Sequence, residues 1–407
     1  MPFKETCVLE ETMRFVLACL EGEETMSSLC QEFGISRQWG YEMLRRYRAG
    51  GPSGLEARSR APHRPGCAMA GEIAEAIMTL RCEHPSWGPK KLRAVLMRRA
   101  PQTLWPASSS MGDLLRREGL VHSRRRRRLP LPVSRPFAAV RAPNDLWCID
   151  FKGWFRTGDG ERCDPLTLSD ADSRFLFACR GIAPTALAVD RVADAAFREY
   201  GLPRALRSDN GTPFASTGAG GLTRLAVKWI KLGIRLERTD PASPQQNGRH
   251  ERMHRTLKAE TASPPADTLA AQQRRFNRFC HIYNHERPHE ALGQVAPASR
   301  YQPSPRRYPR RLQEPHYDDA QAVRRVRSNG EIRWGGDLIF LSETLVGESV
   351  GIAESETGDW IVSFAEVPLG RIERRSRQLR PFGPARPGRT KGHEEQTGKT
   401  VNDVPGP

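Results

Sequence analysis

The sequence predicts a multidomain chain with all-α helix-turn-helix modules toward the N-terminal end, a central α/β unit, and a small all-β barrel toward the C-terminal end. Three observations carry this. From Leu9 to Val121 apolar residues recur at helical spacing, as in "VLEETMRFVLACL" and "SMGDLLRREGLV". From Pro143 onward short strand-like runs alternate with helical ones, the pattern of an α/β layer. Beyond Ala320 Asn-Gly, Gly-Gly and Thr-Gly-Asp turns punctuate short apolar strands, which suggests a small barrel. At 407 residues the chain has room for two to four domains of the usual roughly 100 to 200 residues.

Residues 1–60 read as a first DNA-binding domain. "SSLCQEFGISRQWGYEMLRRYRAGG" gives a short helix, a turn at Gly34 and a second helix capped by Ser36. That helix exposes Arg37, Gln38, Arg45, Arg46 and Arg48 while Met43, Leu44 and Tyr47 pack inward, which suits a recognition helix in a major groove. Residues 68–122 carry three more helices, a second helical DNA-binding module. Residues 123–142 form an Arg-rich linker in which Arg124, Arg125, Arg126, Arg127 and Arg128 repel one another, so a solvated stretch along phosphates is expected. The α/β unit spans 143–303 and the β domain 318–382. The remainder, 383–407, is polar and rich in Gly and Pro, the composition of a disordered tail.

The charge balance narrows the partner. Lys and Arg number 64 against 47 Asp and Glu, a net +17, and this favours a polyanion over a small metabolite. No run of about 18 apolar residues exists and the first residues lack a signal pattern, so no membrane partner and a cytoplasmic, nucleoid-associated location are expected. Nine cysteines with no C-x-x-C pair point to reduced thiols. His63, Cys67, Cys82 and His84 are the one cluster with zinc-type donors, but their spacing fits no ligand pattern, and no zinc is expected.

Three acids are oddly placed. Asp209 ends a strand-like run in "RALRSDNGTPF" just before an Asn-Gly turn, and Asp150 sits inside the apolar, aromatic "LWCIDFKGW". Glu251 lies about one turn inside the helix that follows "DPASPQQNG". If the two strands are neighbours and the helix crosses them, the carboxylates converge. Such a cluster persists only when a cation compensates its repulsion, and a hard divalent ion, Mg²⁺ or Mn²⁺, matches oxygen donors. Two such ions would clamp the attacking and leaving oxygens of a phosphodiester.

"LWCIDFKG", "RSDNGTPF", "SPQQNGRHERMHRTLK" and "IYNHERPHEALG", in this order from about Pro143 to Pro303, resemble the successive signatures of insertion-sequence transposases whose catalytic core is similar to that of retroviral integrases. The resemblance implies a ribonuclease-H-like core with Asp150, Asp209 and Glu251 as catalytic and metal-binding triad, and a flanking DNA-binding region. It implies a transposase that binds double-stranded DNA at element ends and at target, cuts and joins strands, and works as a homo-oligomer assembled on DNA. Integrase-like basic residues after the Glu would be Arg255 and Lys258, which share its helical face. A DNA-binding regulator with an inactive core, or a nuclease that cuts without joining, are the alternatives.

The chain departs from that pattern in two ways. Forty-one residues separate Asp209 from Glu251 where about thirty-five are usual, the surplus falling in "ASTGAGGLTRLAVKW", and no His/Cys zinc domain precedes the core. Among the other acids, Asp170 and Asp172 read as a hairpin turn, Asp240 as a loop cap, and Glu237 as a strand-surface charge. Tyr283, Asn284, Arg287, Pro288 and His289 read as core support near the site rather than as catalysts.

Overall fold

The computed structural model describes residues 7–57, 69–121, 137, 139–239 and 248–382, and the chain divides at Ala70 into two compact units. The first holds helices α1 (Val8–Glu21), α2 (Met26–Glu32) and α3 (Arg37–Gly50). Thr25 caps α2 and Ser36 caps α3, each side-chain oxygen accepting from the backbone N–H three residues on. Phe15, Val16, Leu29, Cys30, Met43, Leu44 and Leu55 form the core. Gly40 allows the helices to meet, because a Cβ there would lie 2.8 Å from both Cys30 Sγ and the Phe15 ring.

The second unit opens with α4 (Gly71–Glu83), α5 (Pro89–Arg99) and α6 (Ser108–Arg117), packed through Ile77, Leu80, Trp87, Leu92, Met111 and Leu115. The central layer follows. It comprises β1 (Leu146–Phe151), a short hairpin of β2 (Phe155–Arg156) and β3 (Arg162–Cys163), then β4 (Pro165–Asp170), β5 (Leu176–Gly181), α7 (Ala186–Tyr200), β6 (Ala205–Ser208), α8 (Arg224–Lys231), β7 (Arg235–Arg238), α9 (Gly248–Thr261) and α10 (Leu269–His281). The sheet order is β5-β4-β1-β6-β7. β5, β4 and β1 form an antiparallel meander; β6 and β7 add in parallel to β1.

Period-two alternation gives this sheet two different faces. Trp147, Ile149, Leu166, Leu168 and Leu206 look toward α7 and α8, where Val189, Ala193, Phe197, Leu225 and Trp229 complete an apolar core. The opposite face carries Asp150, Thr167 and Ser169 and is covered by α9 and α10, with Met253, Leu257, Phe276 and Phe279 packed on Cys163 and Cys179. The apolar, aromatic run "DLWCIDFKGWF" is not one strand. β1 stops at Phe151, and Gly153 at φ +85° turns the chain into the separate β2–β3 hairpin.

The C-terminal region holds β8 (Ala322–Arg325), β9 (Glu331–Trp334), β10 (Asp337–Phe340), β11 (Ser349–Glu354), β12 (Trp360–Phe364), β13 (Val367–Ile372) and β14 (Leu379–Pro381). It is all-β, but the expected closed barrel is corrected. Among the described residues β14-β13-β12-β11-β8 is an open antiparallel sheet and β9–β10 a separate ribbon. The apolar side chains of the ribbon, Ile332 and Ile339, cluster with Val350, Val362, Phe364 and Leu369 of the sheet, so burial is achieved by layering rather than by closure. Ala219, Leu222, Ala226 and Val227 of the central layer join the same cluster, and Lys231 Nζ reaches Glu348 at 2.8 Å. The surplus between Asp209 and Glu251 is thus a docking surface for the β domain. Gly220 (φ +62°) lies where a Cβ would come within 2.9 Å of Leu369.

Candidate active site

Asp150 is the fifth residue of β1 and Asp209 directly follows β6. These strands are parallel neighbours, and the register that pairs Cys148 with Arg207 brings Asp150 level with Asp209 on one face. Both acids stand at the carboxyl ends of their strands, where parallel sheets open a crevice. Glu251 comes from the first turn of α9 and lines a cleft of about 540 Å³ with Lys152, His254, Arg255 and Lys258.

Charge couples Asp150 to the other two acids. The carboxyl of Asp150 is pushed up to about 7, first by burial, then by the charge of Asp209, with Glu251 adding a smaller push and Lys152 opposing it. Burial also raises Asp209, whose Oδ1 accepts from the Gly211 N–H. Carboxyl oxygens pushed toward neutrality by burial and by one another's charge are relieved by a divalent cation.

Beneath Asp150 lies a hydrogen-bonded layer that the sequence reading missed. Thr167 faces Asp150 across the β1–β4 ladder. Its hydroxyl is 2.7 Å from Nε2 of both His250 and His254, and Ser169 Oγ is 3.1 Å from His250 Nδ1. Burial pushes His250 down to about 3 and His254 to about 2, so both rings are neutral. His254 Nδ1 stands 3.9 Å from Asp150 Oδ2. Asp150, His250 and His254 therefore form a possible metal-donor set, with both nitrogens of His250 engaged by hydroxyls. The signal was present in "RHERMHRT", two histidines four apart on one helical face.

The remaining expected site residues are placed as follows. Arg255 and Lys258 are exposed and line the same cleft as Glu251. On α3, Arg37, Gln38 and Arg45 are exposed, with Arg45 paired to Glu42. Arg46 is half-buried instead and donates to the Glu56 carbonyl at 2.6 Å, tying down the segment after its own helix. Arg124, Arg125, Arg126, Arg127 and Arg128 lie outside the described residues, as do Asp240, His63 and Cys67. Cys82 is exposed, and the His84 ring stacks on Trp87 at 3.7 Å. Asp170 is buried, its carboxylate accepting from the Asn144, Asp172 and Ser173 backbones as a turn organiser. Glu237 pairs with Arg207 and Arg235.

The "YNHERPHEALG" segment supports the site from a distance. Arg287 reaches Glu260 of α9 at 2.6 Å and Ser86 of the α4–α5 turn at 3.3 Å. Lys91 of α5 donates to the Pro288 carbonyl, Arg98 to the Glu286 carbonyl, and Lys90 pairs with Glu290. The segment clamps the second helical module onto the core.

Comparison with known families agrees with this architecture. Residues 140–244 and 232–297 match the family described as integrase core domain. The chain carries an integrase core. Residues 13–63 match a helix-turn-helix domain and residues 39–115 a homeodomain-like domain, so DNA-binding modules precede that core. The chain is similar to an insertion element IS407 uncharacterized 31.7 kDa protein of Burkholderia multivorans, 28% identical over 232 residues, which cover 56% of this chain and 79% of the relative. An insertion element IS476 uncharacterized 39.2 kDa protein of Xanthomonas euvesicatoria is 30% identical over 183 residues, 44% of this chain and half of the relative. Among solved structures, the HTLV-2 integrase catalytic core domain in complex with magnesium aligns at TM-score 0.31 and 15% identity, covering 40% of this chain and 98% of that one. The BIV integrase catalytic core domain aligns at TM-score 0.30 and 22% identity, covering 38% and 92%. No helix among the described residues is long and apolar enough to cross a membrane.

Proposed function

We propose that this protein is a transposase that binds the ends of a mobile DNA element and performs divalent-metal-dependent strand cleavage and strand transfer. One observation carries the reading: two acids level at the carboxyl ends of adjacent parallel strands, with a third acid on α9 lining a cleft that also holds Lys152, Arg255 and Lys258. Asp150, Asp209 and Glu251 would hold the ions, two Mg²⁺ or Mn²⁺ and no zinc. When bound, such ions activate the attacking oxygen and stabilise the leaving one in an in-line displacement. Lys152, Arg255 and Lys258 draw the phosphate backbone into the cleft and keep the scissile group against the carboxyl end of the sheet. Arg37, Gln38 and Arg45 read base edges, and Arg124 to Arg128 add sequence-independent affinity. The chain acts as a homo-oligomer on DNA, since two ends must meet, and in the nucleoid. Its working divisions are 1–60, 68–122, 123–142, 143–303, 318–382 and 383–407.

Labelled DNA from the regions flanking the coding sequence, searched for inverted repeats and incubated with the full chain and Mg²⁺, tests this. Cut and joined products are expected. Cutting without joining would make the protein a nuclease, and binding without products would make it a regulator.

A further inference from the structure

The β2–β3 hairpin beside the cleft has no part in the chemistry described above. Trp154, just ahead of β2, is 56% exposed. Its ring lies under two guanidinium groups, Arg162 at 5.1 Å and Arg156 at 5.9 Å from the centroid. Both cations are tied elsewhere. Arg162 holds Asp164 through two bonds of 2.7 and 2.8 Å, and Arg156 holds the Gly160 carbonyl at 2.6 Å. The ring is therefore flanked by anchored cations and is still more than half exposed. The base of the hairpin is anchored as well, for Phe155 meets the buried Phe276 edge-on at 6.5 Å.

Position gives this ring a partner. Trp154 lines a small recess with Lys152 and Lys258, and those same two lysines line the cleft that contains Glu251. An exposed indole set among Lys152, Arg156, Arg162 and Lys258 is complementary to a group that is flat, apolar on its faces and attached to a phosphate. That group is a nucleobase. A base inside a duplex has both faces covered; one at a strand terminus has a free outer face, and once unpaired it can swing away from the stack toward the recess.

We propose that Trp154 stacks on an unpaired base at the DNA terminus and so holds the frayed strand beside the acidic cleft. The inference rests on the function proposed above. Binding energy from the stack offsets part of the cost of opening the terminal pair, and the adjacent lysines hold the phosphate that follows.

The test uses the full chain with end DNA in which the terminal pairs are either matched or mismatched. Wild-type protein is expected to cut both, whereas W154A should cut the matched end about five- to a hundredfold more slowly, the range set by one base–aromatic stack. The mismatched end should recover most of that loss, and W154F, which keeps a ring, should retain most activity. In parallel, 5-iododeoxyuridine at the terminal position should photocrosslink to the peptide containing residue 154, and not in W154A. If wild-type protein cuts neither DNA, the function reading fails. If it cuts and W154A cuts matched ends equally fast, or the crosslink maps to another segment, the stacking proposal is overturned.

Discussion

The two faces of the central sheet are built from the same strands by opposite means. On the α7–α8 side an apolar cluster fills the interface, and Trp147, Phe197 and Trp229 are fully buried. On the α9 side the same β1 and β4 present Asp150, Thr167 and Ser169, and the helix answers with His250, Glu251 and His254. One face supplies the free energy that keeps the sheet intact. The other uses that stability to hold repelling carboxyls and neutral imidazoles where water alone would disperse them. Stability and chemistry are thus separable by face, and substitutions should sort accordingly.

The largest expected effect is on activity alone. D150N, D209N or E251Q should lower strand cleavage by about a thousandfold or more while end-DNA binding stays within a few fold. D150N should also melt higher than wild type in EDTA at pH 8, because a carboxyl held near 7 by burial and Asp209 is costly once ionised. Mg²⁺ should raise the melting temperature of wild type and not of D150N. A D150N protein that still cuts, or melts lower, breaks the division.

Next comes stability alone. F197A opens a cavity in the apolar face and should cost about 3 to 5 kcal/mol in denaturant titration. Enzyme that remains folded should keep its specific activity.

A smaller effect should touch both. T167V removes the hydroxyl shared by two buried imidazoles and should cost about 1 to 3 kcal/mol. Cleavage should fall further than the loss of folded protein explains, because His254 and Asp150 lose their common support. Unchanged melting and unchanged rate together would make the layer idle.

The smallest near neutral pH, growing only on acidification, is a slope with pH. His289, packed on Tyr283 at 4.7 Å, is held at about 3 by burial and by the charges of Lys91 and Arg287. The unfolded ring titrates near 6.5, so below that pH the unfolded chain binds the extra proton. Stability should fall as pH drops from about 6.5 toward 3, by up to about 1.4 kcal/mol per unit from this residue. H289N should flatten that slope by one proton, measured by chemical denaturation at several pH values.

Much of this contrast could be read from the sequence, and the exceptions have physical causes. β1, β4, β5, α7, β6 and α8 follow from apolar runs bounded by turn residues, and the caps at Ser36 and Thr223 are local signals. Asp150 and Asp209 stood out because a charge in an apolar strand is conspicuous. The hydroxyls of Thr167 and Ser169 were not, since a strand with one polar face reads the same whether that face meets water or histidine. Pairing them with His250 and His254 needs the helix laid across the strand, which is long-range information. Closure of the C-terminal sheet failed for a like reason: turns fix hairpins, but only tertiary packing decides whether edge strands meet. Arg46 looked like its neighbours on α3 until the chain returned to offer it the Glu56 carbonyl.

Helix α9 holds Glu251 near one end and Glu260, nine residues on, at the other, so the two stand roughly 13 Å apart at 1.5 Å per residue. Glu260 meets Arg287 and Ser86, the latter belonging to the α4–α6 module. On the function proposed above, the helix would be a caliper with one jaw on that module and the other at the acid that serves the cut. Duplex DNA is stiff over far longer lengths, so if α4–α6 grips the double helix as proposed, protein geometry would fix the number of base pairs from grip to cut. Loosening the jaw, as in R287A, would blur the cutting position to neighbouring phosphates before it slowed the cut.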